Sequence, residues 1–200
     1  MGRLIGAILA GGESSRFGGE PKGLRPVGGL RMIDRVANAL GSVSTEMIVV
    51  SNMRGAAEWL PGVNAVADLR PERGSLVGIH TALAHARETV LVVAWDMPFV
   101  NAELLRLIRD GSTAASFTAV PDGPSGPEPF CAAYTTACLP FIEAALDSGD
   151  FRLSNLLARL PSVDHVTHDQ VWRAGNPARL FLNVNDAADL ARAERLAAGD

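Results

Sequence analysis

Residues 9–23 read Leu-Ala-Gly-Gly-Glu-Ser-Ser-Arg-Phe-Gly-Gly-Glu-Pro-Lys-Gly. Gly11, Gly12, Gly18 and Gly19 let backbone N–H groups come close to phosphate oxygens, and the cations Arg16 and Lys22 offset phosphate charge. The segment therefore reads as a triphosphate cradle. Lys22 is the only lysine in the chain; the other seventeen basic side chains are arginine. An ammonium is a compact, mobile point charge that can follow a phosphate as it transfers, whereas a guanidinium is a flat, rigid fork. Neither G-x-x-x-x-G-K-[ST] nor G-x-G-x-x-G can be laid on the loop, which argues against P-loop hydrolysis and dinucleotide redox chemistry.

A second chemical position is Asp96, in Val90-Leu-Val-Val-Ala-Trp-Asp-Met-Pro98. An apolar strand delivers this carboxylate at its end, and Pro98 stops the ladder just beyond it. One carboxylate there suits Mg2+, which takes one or two protein oxygens and leaves its other positions to phosphates and water. Asp68 follows another short apolar run and precedes Gly74-Ser-Leu-Val-Gly78, where it could orient a base or sugar. Arg152 could meet an anionic acceptor. Asn183 and Asn185 flank the last helix, where Asn185 suits an N-cap and Asn183 has no such local reason to be Asn. The histidines offer no metal site: His80 and His85 share no helix face, and His165 with His168 would need ligands from elsewhere. No G-x-S-x-G elbow or Ser/His/Asp set is present, so covalent hydrolysis is not expected.

The elements that must hold these residues follow from periodicity. Runs dense in Ile, Val and Leu recur at Leu4–Ala10, Met47–Ser51, Asn64–Ala67 and Val90–Trp95. Helical spacing lies between them, at Met32, Val36 and Leu40 and at Leu76, Ile79, Leu83 and Ala86. Strands alternating with helices predict a parallel sheet covered on both faces, a Rossmann-like doubly wound α/β fold, with ligands at the carboxyl ends of the strands. From residue 111 the pieces are shorter: strands at Ala115–Val120, Phe130–Tyr134, Val163–Thr167 and Leu180–Val184, with helices near Leu139–Leu146 and Ser154–Leu160. These predict an antiparallel edge and a lid. The segment Pro121–Pro129 reads as a loop and a binding surface. The chain ends in a helix over Asp186–Leu196. One domain is expected, with residues 1–110 binding nucleotide and 111–200 binding the acceptor.

Two hundred residues with 48% hydrophobic and 20% charged side chains describe a compact protein that needs no disulfide staples. Cys131 and Cys138 match no metal or redox spacing, which fits a reducing cytoplasm. The longest apolar run, Val90–Trp95, is far short of the roughly 18–20 residues that span a bilayer. A net charge of −4 argues against a nucleic-acid partner. Residues 1–35 invert that balance, with Arg3, Arg16, Lys22, Arg25, Arg31 and Arg35 against Glu13, Glu20 and Asp34, as a small-anion site would.

Four segments together now stand out: the Leu9–Leu24 loop, Gly74-x-Leu-x-Gly78, Asp96-x-Pro98, and Phe181-x-Asn-Val-Asn185. They resemble the molybdenum cofactor guanylyltransferases of the nucleotidyltransferase superfamily, and the resemblance runs nearly end to end. It implies a nucleotide-diphospho-sugar transferase type of fold. It also implies GMP transfer from GTP to molybdenum-loaded molybdopterin with release of pyrophosphate. Leu9, Ala10 and Gly11 would line the guanine site, and Gly12 would also bind nucleotide. Lys22, aided by Arg16, would bind phosphates, Asp68 the nucleoside, and Asp96 both nucleotide and Mg2+. Ser51 falls where a nucleotide-contacting Asn is usual, with Asn52 adjacent, and Ser75 replaces a usual Pro. Gly74, Gly78, Arg152, Asn183 and Asn185 match the acceptor end. A monomer or weak homo-oligomer in the cytoplasm is expected, passing its product to molybdoenzyme apoproteins or chaperones. Alternatives are a molybdopterin cytidylyltransferase, which usually carries Ala at position 11, a sugar-1-phosphate nucleotidyltransferase, or a non-catalytic nucleotide-binding adaptor. The expected geometry sets the Lys22 ammonium and an ion on Asp96 on opposite sides of one nucleotide.

Overall fold

The computed structural model describes residues 3–11, 21–112 and 116–199. Strand β1 (Leu4–Leu9) leads, past a 3-10 turn at Lys22–Leu24, into a small hairpin, β2 (Pro26–Val27) and β3 (Leu30–Arg31). Gly28 and Gly29, both at positive φ, make its two-residue turn. Helix α1 (Met32–Gly41), β4 (Glu46–Val50), β5 (Asn64–Val66), α2 (Ser75–Ala86), β6 (Thr89–Ala94) and α3 (Ala102–Gly111) complete the first half. The second half adds β7 (Thr118–Gly123), β8 (Gly126–Pro127), β9 (Cys131–Tyr134), α4 (Leu139–Asp147), α5 (Leu153–Arg159), β10 (Val163–Val166), α6 (His168–Ala174), α7 (Pro177–Leu180) and α8 (Ala187–Ala198).

The main sheet runs β10-β7-β9-β6-β1-β4-β5, with β8 paired to β7. Strands β1, β4, β5 and β6 are mutually parallel, and β9 enters antiparallel between β6 and β7. Winding reverses at β1: β4 and β5 are added on one side, β6 on the other. The carboxyl end of β1 is thus the topological switch point. Both central strands are buried along nearly their whole length because alternate residues feed two different cores. Ile5, Ala7, Val90 and Val92 face Leu76, Ile79 and Leu83 of α2. Ile8, Leu91 and Val93 face Ile33, Val36 and Leu40 of α1 and Leu104 and Ile108 of α3. A third cluster, with Met32, Phe99, Leu182, Val184 and Ala193, fastens α8 beside the start of α1.

Three expectations change. Leu180–Val184 is not a strand. Asn176 accepts an N–H from Ala178 and Pro177 occupies the first turn, so a short helix forms there, and Leu182 and Val184 then bury in the third cluster without a ladder. Pro121–Pro129 is not an open loop, because β7 runs on to Gly123 and turns back as β8. Pro121 is tolerated in β7, where its carbonyl accepts from Glu128 N–H. The last helix is capped by Asp186 rather than Asn185, through bonds of 2.9 Å from the N–H groups of Ala188 and Asp189. Among the described residues no helix is long and apolar enough to cross a membrane.

Candidate active site

A cavity of about 780 Å³ opens at the carboxyl ends of β1, β4, β5 and β6. Leu9, Gly11, Lys22, Ser51, Asp68, Gly74, Gly78, Asp96, Asn183 and Asn185 all line it, which gathers most of the expected residues in one place. Gly12 and Arg16 lie outside the described residues. Ala10 is fully buried and off the wall. Its N–H donates to the Val50 carbonyl, so its part is to hold β1 against β4. Arg152 is exposed and does not line the cavity; the neighbouring Phe151 only approaches Gly74.

The centre of the site is an ion pair between Lys22 Nζ and the carboxylate of Asp96. The ammonium also donates to Asn185 Oδ1 at 3.1 Å. Asp96 is fixed from both sides, because Trp95 N–H donates to the Leu9 carbonyl and Val184 N–H donates to the Asp96 carbonyl. Three segments far apart in sequence thus meet at one cation. The two charges are in direct contact, both on the wall of the one cavity.

A glycine explains how Lys22 gets so close. A Cβ on Gly23 would stand 2.3 Å from the Trp95 indole. Trp95 cannot retreat, being 1% exposed and stacked on Trp59 with ring centroids 5.3 Å apart. The bare Gly23 backbone therefore packs against the indole while Lys22 and Asp96, the adjacent residues on the two segments, pair beside it. No spacing in the sequence links Gly23 to Trp95; the one available signal is a glycine directly after the sole lysine.

At the β4–β5 side, Asn52 holds Asp68 in two bonds. Its amide donates to Asp68 Oδ2 at 2.7 Å, and its carbonyl accepts from Asp68 N–H at 2.8 Å. Burial raises the Asp68 pKa, and the bonds from Asn52 and Thr81 partly offset that rise. Ser51 borders the cavity, but its hydroxyl donates to the Ala10 carbonyl at 2.7 Å, so Asn52 is the side chain engaged with Asp68. The first turn of the twelve-residue helix α2 contributes Gly74, Ser75 and Gly78 to the wall and turns its positive end toward the space. At Gly78 a Cβ would come within 3.2 Å of Leu9, so the glycine lets α2 approach the end of β1.

The oxygens of Asp96 and Asn185 are hard donors that fit Mg2+. No group of three or more His, Cys, Asp or Glu side chains among the described residues could hold a metal by itself. A single carboxylate fits an ion that arrives with phosphate ligands of its own. His165 is paired with Asp122 at 2.8 Å, and Cys131 and Cys138 are buried free thiols.

The chain's residues 6–166 match the family model described as the MobA-like NTP transferase domain. A molybdenum cofactor guanylyltransferase from Desulfosudis oleivorans is 38% identical over 198 residues, covering 97% of this chain and 96% of that protein.

The chain belongs to the MobA-like NTP transferase family.

Among solved structures, the molybdopterin-guanine dinucleotide biosynthesis protein A of Archaeoglobus fulgidus superposes with a TM-score of 0.82 at 28% identity, covering 98% of this chain and all of that one. The 2-C-methyl-D-erythritol 4-phosphate cytidylyltransferase of Thermus thermophilus, at 22% identity and a TM-score of 0.68, shares the fold. The MobA-like domain accounts for β1 through β10, and so for Lys22, Asp68 and Asp96. Asn183 and Asn185 lie beyond the matched residues and are drawn into the site by the bond between Val184 and Asp96.

Proposed function

We propose that this protein transfers GMP from GTP to the terminal phosphate of molybdenum-bearing molybdopterin, forming the guanine dinucleotide cofactor and pyrophosphate. The observation that carries the reading is the meeting of Lys22, Asp96 and Asn185 in a cavity at the switch point of a MobA-like fold.

In this reading an oxygen of the acceptor phosphate attacks the α-phosphorus of GTP as the bond to pyrophosphate breaks. That phosphate is anionic at neutral pH, so no side chain has to remove a proton. Catalysis then rests on alignment and charge. Lys22 leaves Asp96 for the phosphate oxygens, a short move for a flexible ammonium already at the site. Asp68, steadied by Asn52, takes the nucleoside, and the end of α2 faces the phosphates. Asp96, with Asn185 beside it, would hold Mg2+, which supplies positive charge against the α-phosphate and the departing pyrophosphate. Gly11 meets nothing within 4 Å of where a Cβ would stand, leaving room for a purine.

The test is pyrophosphate release with each of the four nucleoside triphosphates, with and without molybdopterin and Mg2+. Release with GTP, dependent on both additions, is the expected result. Preference for CTP would make the protein a cytidylyltransferase, and GTP binding without release would make it a non-catalytic adaptor.

A further inference from the structure

One acidic side chain at the site's edge of the sheet stands apart. The other carboxylates there have partners: Asp96 has Lys22, Asp68 has Asn52, and Asp122 has His165. Glu128 is half-buried, yet its carboxylate has no hydrogen bond or ion pair among the described residues. Burial alone pushes its pKa up to about 7.

The backbone holds Glu128 firmly. Its N–H donates to the Pro121 carbonyl at 2.9 Å, and its carbonyl accepts from Cys131 N–H at 3.0 Å. Its side chain lies against Gly123, where a Cβ would stand 2.6 Å from Glu128 Cγ and 2.7 Å from its Oε1. Any larger residue at position 123 would displace the carboxylate. The turn it opens also carries Phe130, which lines the cavity.

The register relates Glu128 to Asp96. Val93 of β6 is the last residue paired with Cys131 of β9, and the Phe130 carbonyl still accepts from Ala94 N–H. Asp96 lies three residues beyond Val93, and Glu128 three residues before Cys131 on the antiparallel neighbour. Both carboxylates therefore leave the same edge of the sheet, on adjacent strand ends. One faces the phosphate-binding lysine. The other stands on the side of β7 and β9, away from Asp68.

A half-buried carboxylate with no protein donor keeps acceptor capacity that a ligand's N–H groups can take up. The 2-amino-4-oxopyrimidine edge of a pterin offers two parallel N–H groups, which a carboxylate accepts in bidentate fashion. Phe130 offers an aromatic face to such a ring. We propose that Glu128 recognises the acceptor, its carboxylate taking the amino–imino edge of the pterin ring while Asp68 serves the nucleoside. Guanine carries the same edge, so the experiment has to separate the two rings. The inference rests on the reading of the site given above.

Two measurements on the full-length chain test it. The first is the KM for molybdopterin and for GTP in pyrophosphate release, in wild type, Glu128→Gln and Glu128→Asp. Glu128→Gln is expected to raise the acceptor KM about tenfold or more, the worth of a charge-assisted pair. Its GTP KM should stay within about twofold, and Glu128→Asp should retain part of the affinity. The second is direct binding of free pterin and of lumazine, which has a carbonyl in place of the 2-amino group. Wild type should favour pterin, and Glu128→Gln should lose that preference. An equal rise in both KM values, or a preference for pterin unchanged by the substitution, overturns the assignment. If wild type releases no pyrophosphate with GTP and molybdopterin, the reading of the whole site fails instead. If it does release pyrophosphate and the acceptor KM is indifferent to Glu128→Gln, only this assignment fails.

Discussion

Along one edge of the sheet, the side built on β1, β4, β5 and β6 differs in its electrostatics from the side built on β7 and β9. On the first, the charged and amide side chains bond to neighbours: Lys22 to Asp96 and Asn185, Asn52 to Asp68, and Ser51 to the Ala10 carbonyl, while the buried Trp95 ring N–H has no partner among the described residues. On the second, Glu128 is held in place by its backbone and left without a partner. A pocket for a flexible polyanion can be stored as internal ion pairs that exchange partners when the ligand arrives. Recognition of a rigid ring edge by one carboxylate has no such internal stand-in, so the group keeps its acceptor oxygens free.

The contrast is broken most sharply at its strongest pair. Asp96→Ala and Lys22→Ala are each expected to cut nucleotide transfer by about a hundredfold or more, with circular dichroism unchanged. Turnover near the wild-type rate in either would remove the pair from catalysis. Lys22→Arg should recover little, because a planar fork cannot follow the phosphate as an ammonium does.

A smaller effect is expected where the pair is registered. Gly23→Ala forces a methyl group into the Trp95 ring, and overpacking of this kind costs about 1–3 kcal/mol, so kcat should fall roughly tenfold. Adding Trp95→Leu makes room for the methyl and should restore part of the rate. Absence of any rescue would mean that the glycine serves the backbone rather than the indole.

Next comes the nucleoside end. Asn52→Ala removes both bonds that steady Asp68 and should raise the GTP KM about three- to tenfold, on the order of 1 kcal/mol of lost positioning, with kcat little changed. Isothermal titration with GTP would check this directly.

The smallest effect sharpens the other side. The folded Glu128 pKa is raised, so the native protein holds this proton more tightly than the unfolded chain does. The group therefore favours the fold below the ordinary carboxylate value near 4.5, and that contribution is lost as pH climbs through about 7. The Cys131 thiol, the Tyr134 hydroxyl, which donates to the Pro129 carbonyl, and the Asp122–His165 pair are titratable groups close to this turn. Glu128→Gln should leave the melting midpoint unchanged at pH 5. At pH 8 it should raise the midpoint by roughly 2–4 °C, or ~1 kcal/mol once solvent screening is discounted.

What the sequence reveals follows how local each determinant is. Strands β1 and β6 are legible because nearly every residue of a doubly covered strand is apolar, and α1 and α2 because their buried faces repeat at helical spacing. Lys22 and Asp96 are legible because each type is rare where it stands: a lone lysine after glycines, a lone carboxylate ending an apolar strand. The fit of Gly23 to Trp95 is hidden, since residues 72 positions apart meet only in the fold. Asn185 reads locally as a cap and serves Lys22 instead, because its neighbour Asp186 takes over the helix end. Glu128 sits in a proline-rich stretch that reads as a loop; its importance comes from burial and from missing partners, which no spacing encodes.

The solitary lysine has one more consequence. Amine-directed acylating reagents have a single side-chain target in this protein besides the chain's α-amino group. While the amine is clasped by Asp96 little of its side chain is open to a reagent, so the speed of acylation becomes a gauge of how often that clasp opens. One modified peptide in a mass spectrum would then report the state of the pocket, with no engineered label.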